Sequence, residues 1–117
     1  MTQPKTDFQQ DANRNFEQDP DTRLRDSVIR RFFDREGRLK NIPAQLKKKL
    51  IVLEYLVEQL EMERTYPESE INAFIRLVHD DYATIRREFI VQGFMSRSDE
   101  VYKRNPLSAA RRWEDLS

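Results

Sequence analysis

Apolar side chains recur three and four positions apart near the start of the chain, which is the spacing of an amphipathic helix. They are Leu24, Val28, Ile29, Phe32 and Phe33. Asp21 or Thr22 can cap this predicted first helix, and Gly37 supplies a turn after it. Residues 38–42 then alternate polar and apolar positions, which predicts a short strand.

The second predicted helix begins at Pro43, a residue favoured at the first helical position, and runs to about Glu63. Residues 50–60 are apolar on nearly every side of this helix, and such a helix is covered on more than one face. It is therefore either the central helix of the domain or a helix that also carries a dimer contact. One narrow acidic stripe is expected to face solvent, and it consists of Glu54, Glu58 and Glu61.

A third helix is predicted from about residue 65, with Pro67 and Glu68 in its first turn. Its apolar face consists of Ile71, Phe74, Ile75 and Val78. A fourth helix follows, and either Asp80 or Asp81 can cap it. The buried stripe of the fourth helix consists of Tyr82, Ile85 and Phe89.

The fourth helix is expected to end near Gln92, because Gly93 is a favourable residue just beyond a helix. Residues 94–97 and 101–104 predict two short strands joined by a loop of hairpin length. The order helix, strand, helix, helix, helix, strand, strand predicts a winged helix-turn-helix, mainly α with a small β-hairpin. The strand near Leu39 is expected to join the hairpin, which would make a three-stranded sheet.

These elements divide the chain into three parts. Residues 1–22 are mostly polar and predict a disordered N-terminal tail. Residues 23–104 form the predicted winged-helix-like domain, and residues 105–117 form a C-terminal tail or a short helix. This last part contains the only tryptophan, Trp113, which either packs back on its own domain or docks on a partner.

Charge is balanced over the 117 residues but segregated along them, since Lys and Arg number 21 and Asp and Glu also number 21. Residues 23–50 carry ten basic and three acidic side chains, whereas residues 51–70 carry one basic and six acidic side chains. A basic surface can therefore exist on a neutral chain. No apolar run is long enough for a signal or a membrane span, so we expect a cytoplasmic protein without membrane contact.

The residues needed for common catalytic and metal sites are scarce. The chain has no cysteine and only two glycines, which removes thiolate chemistry and Gly-rich phosphate loops. The single histidine, His79, lies beside Asp80 and Asp81, but helix capping explains these acids more simply than a metal does. We therefore expect a protein that is not an enzyme and that needs no metal or cofactor.

Several segments together resemble a known bacterial family. They are Phe32–Asp34, Gly37–Lys40, Ile42–Pro43, Lys47–Lys49, Val52–Leu53, Tyr66–Asn72, His79–Glu88, and Arg97 with Val101–Tyr102. In order and spacing, from about Val28 to Arg104, they are similar to the domain-of-unknown-function family 2087. The resemblance implies a winged-helix-like domain associated with helix-turn-helix transcription regulators. Pro67 departs from the family pattern, which more often has a small hydroxyl residue there.

The fourth helix is the candidate recognition helix of this fold. Its outward face carries Ala83, Thr84 and Arg87, with Arg86 on the flank. Because an arginine can bridge two acceptors of guanine, this face suits readout of duplex DNA in the major groove. Phosphate contacts are expected from Lys47, Lys48, Lys49, Arg76, Arg97, Lys103 and Arg104. The sequence thus predicts a transcription-regulator-like DNA-binding protein, in which a homodimer would supply a second reading head.

Other features of the same region favour a different function. Asp80 and Asp81 would repel phosphate, and the net charge of zero lacks the basic excess of strong DNA binders. The alternative is a protein–protein interaction module whose surface includes Ile90, Val91, Trp113 and Leu116. The arginines of the fourth helix also have a purely structural interpretation, as surface ion-pair partners of Glu70, Asp81 or Glu88.

Overall fold

A computed structural model describes residues 19–116 of the protein. The helices are α1 (Pro20–Phe32), α2 (Leu46–Val57), α3 (Glu68–Arg76) and α4 (Tyr82–Val91). The strands are β1 (Thr65–Pro67), β2 (Met95–Ser98) and β3 (Val101–Arg104), and two short 3-10 helices follow at Leu107–Ala109 and Trp113–Asp115. The predicted class, mainly α with a small three-stranded sheet, is confirmed. Within residues 19–116, every helix is too short or too polar to span a bilayer.

Helix α1 begins two residues earlier than the sequence pattern predicts. Its cap is Asp19, whose Oδ2 accepts hydrogen bonds from the backbone N (3.3 Å) and the hydroxyl (2.9 Å) of Thr22. Pro20 follows at the first helical position, where its missing N–H has no partner to lose. The predicted caps Asp21 and Thr22 are therefore inside the helix. Most of the predicted N-terminal tail lies outside the described residues.

The strand predicted at residues 38–42 is not part of the sheet. Leu39 forms only an isolated bridge with Phe33, and its N–H donates to the carbonyl of Val78 over 2.8 Å. The Asp34 side chain accepts from the backbone N of Arg38 at 2.9 Å, closing a local turn. These contacts hold the segment against the end of α3, so its alternating pattern reflects burial of Leu39 and not strand pairing.

The third strand comes instead from the segment predicted to start the third helix. Tyr66 pairs with Tyr102 in an antiparallel β1–β3 ladder, and the sheet order is β1-β3-β2. Pro67 is tolerated because β1 lies at the edge of the sheet, where one side of a strand needs no partner. Helix α3 then begins at Glu68.

Helix α2 is shorter than predicted and is the central helix of the domain. Its residues 50–54, Leu56 and Val57 are all buried, and it packs against α1, α4 and the last 3-10 helix. Glu54 is only 5% exposed, so the prediction that it faces solvent is wrong. Glu58 and Glu61 do face solvent as predicted. Glu54 is buried, unlike Glu58 and Glu61, because the C-terminal segment covers the part of α2 that carries it.

The hairpin turns tightly between β2 and β3. Asp99 and Glu100 both have positive φ, 51° and 65°, as the central residues of a two-residue type I′ turn require. The register places Arg97 opposite Tyr102, so both lie on the sheet face that also carries the buried Tyr66 and Met95. That face is packed toward the helices. The order α2, β1, α3, α4, β2, β3 with this sheet is consistent with a winged helix-turn-helix.

The C-terminal segment forms two 3-10 turns and packs back on the domain. Trp113 is 3% exposed, so its side chain packs on its own domain and is not an exposed docking residue. Arg111 N–H donates to the carbonyl of Gln92 at 2.9 Å. Lys47 Nζ donates to the carbonyl of Leu116 at 3.3 Å. The segment is therefore an integral part of the fold.

Candidate nucleic-acid interface

Helix α4 is fixed at its start by a side-chain cap. Asp81 Oδ2 accepts from the hydroxyl of Thr84 at 2.8 Å, and its Oδ1 accepts from the backbone N of Thr84 at 3.4 Å. Ile85 and Phe89 are buried and orient the helix on the core. The hydroxyl proton of Thr84 is thus used within the cap, while its oxygen can still accept a hydrogen bond.

The outward face of α4 is mostly apolar with one arginine at its centre. Arg87 is exposed, and it lies opposite the buried Ile85 and Phe89 at 100° per residue. Ile90 is half-buried and Val91 is 64% exposed. Among the described residues, Arg87 forms no ion pair or hydrogen bond through its side chain, whereas its neighbour Arg86 does.

Arg86 projects from the flank of α4 toward α3. Its Nη1 donates to Asn72 Oδ1 and lies 4.0 Å from Glu68 Oε2. The partners expected from the sequence for this arginine are not the ones it contacts. Glu88, one of those expected partners, lies on the other flank and approaches Lys49, with 3.8 Å between Oε2 and Nζ.

The hairpin adds a third arginine to the same region. Arg97 Nε lies 3.9 Å from Glu68 Oε1, and the Tyr102 hydroxyl donates to that same oxygen over 2.9 Å. Burial and the hydrogen bond to Glu68 raise the pKa of Tyr102 above its ordinary value of 10.0. Glu68 therefore connects α3, α4 and both strands of the hairpin, a role that the sequence analysis did not anticipate.

A cleft of about 310 Å³ lies between α4 and the hairpin. It is lined by Glu68, Arg86, Arg87, Ile90, Val91, Arg97 and Tyr102. Four of these residues belong to α4, and three carry a guanidinium group. The sequence pattern predicts a working surface on this helix and hairpin, but it does not indicate the open cleft between them.

The predicted phosphate-binding residues are not all on this side of the molecule. Lys103 is exposed and lies on the outer face of the sheet. Arg104 is half-buried, and its Nη1 donates to the carbonyl of Leu60 at 3.0 Å, so it ties the sheet to the end of α2. The first turn of α2 carries three half-buried lysines, Lys47, Lys48 and Lys49. Of these, Lys49 contacts the flank of α4 opposite Arg86.

The two aspartates that oppose DNA binding have structural roles. Asp80 is the fully exposed member of an ion pair in which its Oδ1 lies 3.0 Å from Arg38 Nη2. Arg38 Nη1 also donates to the carbonyls of Arg76 and Leu77 at the end of α3. Asp81 is the α4 cap. The ion pair with Arg38, which the sequence pattern does not predict, offsets part of the negative charge of Asp80.

The residues of the predicted protein-docking surface do not form one exposed patch. Ile90 and Val91 lie on the outward side of α4, whereas Trp113 is buried beside α2 and Leu116 is half-buried. In the part of the chain that the structure describes, no group of three or more His, Asp or Glu side chains is arranged to hold a metal ion.

Comparison with protein families decides the family of the chain. The family described as "Uncharacterized protein conserved in bacteria (DUF2087)" matches residues 38–104, which is more than half of the chain. The chain belongs to this family. The resemblance inferred from the sequence is thereby confirmed, although the match begins at Arg38 and not at Val28, so that α1 lies outside it.

The DUF2087 match spans α2, α3, α4 and the whole sheet, and therefore every residue of the cleft. A search of curated proteins found no match. A search of solved structures found no match either.

Proposed function

We propose that this DUF2087 protein is a transcription-regulator-like protein that binds duplex DNA with α4 in the major groove and the hairpin beside it. The observation that carries the proposal is the position of Arg87, which is exposed at the centre of the outward face of α4 and has no partner among the described residues. An exposed arginine at this place in a winged helix can make the bidentate contact with guanine that specifies a base pair.

The neighbouring residues have complementary roles in this proposal. Ala83 offers an apolar contact for a thymine methyl group, and the Thr84 oxygen can accept from a base edge. Arg97 on the hairpin supplies positive charge for phosphates, which position a protein without reading sequence. Arg86 supports the surface from the flank of α4.

The low net charge of the chain predicts weak affinity for DNA. The chain has a net charge of zero, and the phosphate term usually dominates the affinity of DNA-binding proteins. One module also buries little surface on DNA. A monomer is therefore expected to bind weakly, and a homodimer on two half-sites would supply the missing contacts.

A gel shift with genomic fragments at low and moderate salt tests this proposal directly. Retardation is expected at low salt, where phosphate contacts are strongest, and should weaken as salt increases. A measurement of mass in solution, made on the same sample, shows whether the binding species is a dimer. Absence of any retardation at low salt would contradict DNA binding.

The composition of α4 supports a second candidate function, protein–protein interaction. Ile90 and Val91 place aliphatic surface beside Arg87, and exposed apolar surface on a small domain is typical of docking sites. In this case Val91→Asp should abolish a stoichiometric complex recovered by affinity purification, while Arg23→Ala, a change at an exposed position of α1, should leave it intact. If Val91→Asp has no effect on any recovered complex, α4 is not the docking surface.

A further inference from the structure

The cleft between α4 and the hairpin contains far more hydrogen-bond donors than acceptors. Three guanidinium groups, those of Arg86, Arg87 and Arg97, bring five N–H donors each. Among the side chains that line the cleft, the acceptors are the carboxylate of Glu68 and the oxygen of Tyr102, whose own proton is already donated to Glu68. The cleft therefore has unused N–H donors and excess positive charge. An anion that is rich in hydrogen-bond acceptors would satisfy both.

Glu68 holds two of the three arginines without neutralising the cleft. Its two oxygens lie 4.0 Å from Arg86 Nη1 and 3.9 Å from Arg97 Nε, so each contact is an ion pair to a single nitrogen and is longer than a hydrogen bond. One carboxylate against three guanidinium groups leaves two positive charges. Since Arg86 is also bound to Asn72, its position is set before any ligand arrives, which lowers the ordering cost of binding.

The wall formed by Ile90 and Val91 distinguishes this cleft from a simple anion site. Both residues line it, so a ligand that fills the space would touch aliphatic carbon as well as guanidinium. The volume of about 310 Å³ is at the lower end of small-molecule sites. The cleft therefore fits a compact ligand with a charged end and an apolar end.

We propose that the cleft between α4 and the hairpin binds a small amphipathic anion, with a carboxylate or phosphate group at Arg87 and Arg97 and a short apolar body against Ile90 and Val91. This inference goes beyond DNA binding and does not depend on it, because the ligand is bound by the free protein. Guanidinium groups pair with both kinds of oxyanion in a bidentate manner, so the two head groups are distinguished by experiment.

Titration followed by NMR of the free, full-length protein tests the proposal. The probes are hexanoate, butyl phosphate, inorganic phosphate and the neutral 1-hexanol. Saturable shifts of the Arg87 and Arg97 side-chain N–H signals and of the Val91 methyl signals are expected with hexanoate or butyl phosphate, at Kd values on the order of 1 mM. The probe with the lower Kd, hexanoate or butyl phosphate, identifies the preferred head group.

Matched variants separate the cleft from the general surface. Arg87→Gln should weaken the binding of the amphipathic anion about tenfold, because a charge-assisted contact is lost, whereas Arg23→Gln, at an exposed position of α1, should not change it. Val91→Ser should weaken binding of the amphipathic probe and leave inorganic phosphate unaffected. Shifts that do not saturate, that are equal for inorganic phosphate and the amphipathic probes, or that survive Arg87→Gln unchanged would overturn the proposal.

Discussion

Glu68 Oε1 accepts a hydrogen bond of 2.9 Å from the hydroxyl of Tyr102, and this contact joins the first turn of α3 to β3. The bond provides a partner for the hydroxyl of Tyr102, which is 2% exposed because it lies on the sheet face that packs toward the helices. It also places the carboxylate within 4.0 Å of Arg86 and Arg97. The geometry of the cleft therefore depends on a carboxylate whose charge is opposite to that of the three arginines in its wall.

Glu68→Gln is expected to lower the pKa of Tyr102 toward its ordinary value, because the negative charge and the hydrogen bond of Glu68 both contribute to its elevation. The raised pKa means that the hydroxyl stabilises the fold fully below pH about 10, and that this contribution is lost as pH rises through the folded-state pKa. NMR titration with labelled tyrosine gives the pKa directly. An unchanged Tyr102 pKa in the variant would show that burial alone causes the shift.

Glu54→Gln is expected to stabilise the protein at neutral pH. Burial raises the pKa of Glu54 above 4.5, and the nearby charge of Glu114 adds to the shift, while its Oε1 has no hydrogen-bond partner among the described residues. The charged form is therefore disfavoured in the fold, so the wild type loses stability relative to the variant as pH rises above the unfolded-state pKa.

Urea denaturation at several pH values measures this difference. The free energy of unfolding of Glu54→Gln should exceed that of the wild type by roughly 1 kcal/mol at pH 7, and the difference should shrink toward pH 4. Glu61→Gln, a change of the same kind at an exposed position of the acidic series, should show no comparable gain. A difference that does not vary with pH would contradict the assignment to ionisation.

Gly93→Ala is expected to destabilise the protein more than Gly37→Ala. Both glycines have positive φ, 85° and 83°, so each substitution carries a similar backbone cost of about 1 kcal/mol. A Cβ at Gly93 would also lie 2.9 Å from the carbonyl oxygen of Ala109, whereas a Cβ at Gly37 would meet open space. Thermal unfolding of the two variants side by side measures the additional cost of moving the C-terminal segment, and equal losses would show that this contact is unimportant.

Arg87→Ala and Arg97→Ala are expected to affect DNA binding in different ways. Loss of a base-reading arginine should cost about 1–3 kcal/mol on the preferred fragment and little on unrelated DNA. Loss of a phosphate-binding arginine such as Arg97 should weaken binding to all fragments and reduce the slope of log K against log salt by about 1. Fluorescence anisotropy over a salt series measures both effects, with Arg23→Ala as the control. If Arg87→Ala weakens all fragments equally, Arg87 contacts only phosphate.

The elements predicted well are those encoded by local signals. Helix α4 has an apolar period, a capping Asp81 and a stop at Gly93, and it runs from Tyr82 to Val91 as expected. The sequence predicts a helix start where the structure has the strand Thr65–Pro67, because proline followed by acidic residues is typical of a first helical turn. Its pairing with β3 joins residues far apart in sequence, which no local pattern reports.

The same distinction applies to the candidate site. The arginines of α4 and Arg97 follow from helical and strand periodicity, and the structure places them around one cleft. The part played by Glu68 depends on how α3 meets β3, and the burial of Glu54 depends on a segment more than fifty residues later in the chain. An acidic residue at either position looks like ordinary surface until the distant partner is known.

The C-terminal segment has a practical consequence for work on this family. The DUF2087 match ends at residue 104, but Trp113 and Ala110 complete the hydrophobic core. An expression clone cut at the family boundary would keep every residue of the cleft and yet expose the side of α2 that Trp113 covers. Domain limits drawn from the family match alone are therefore too short for a stable recombinant fragment of this chain.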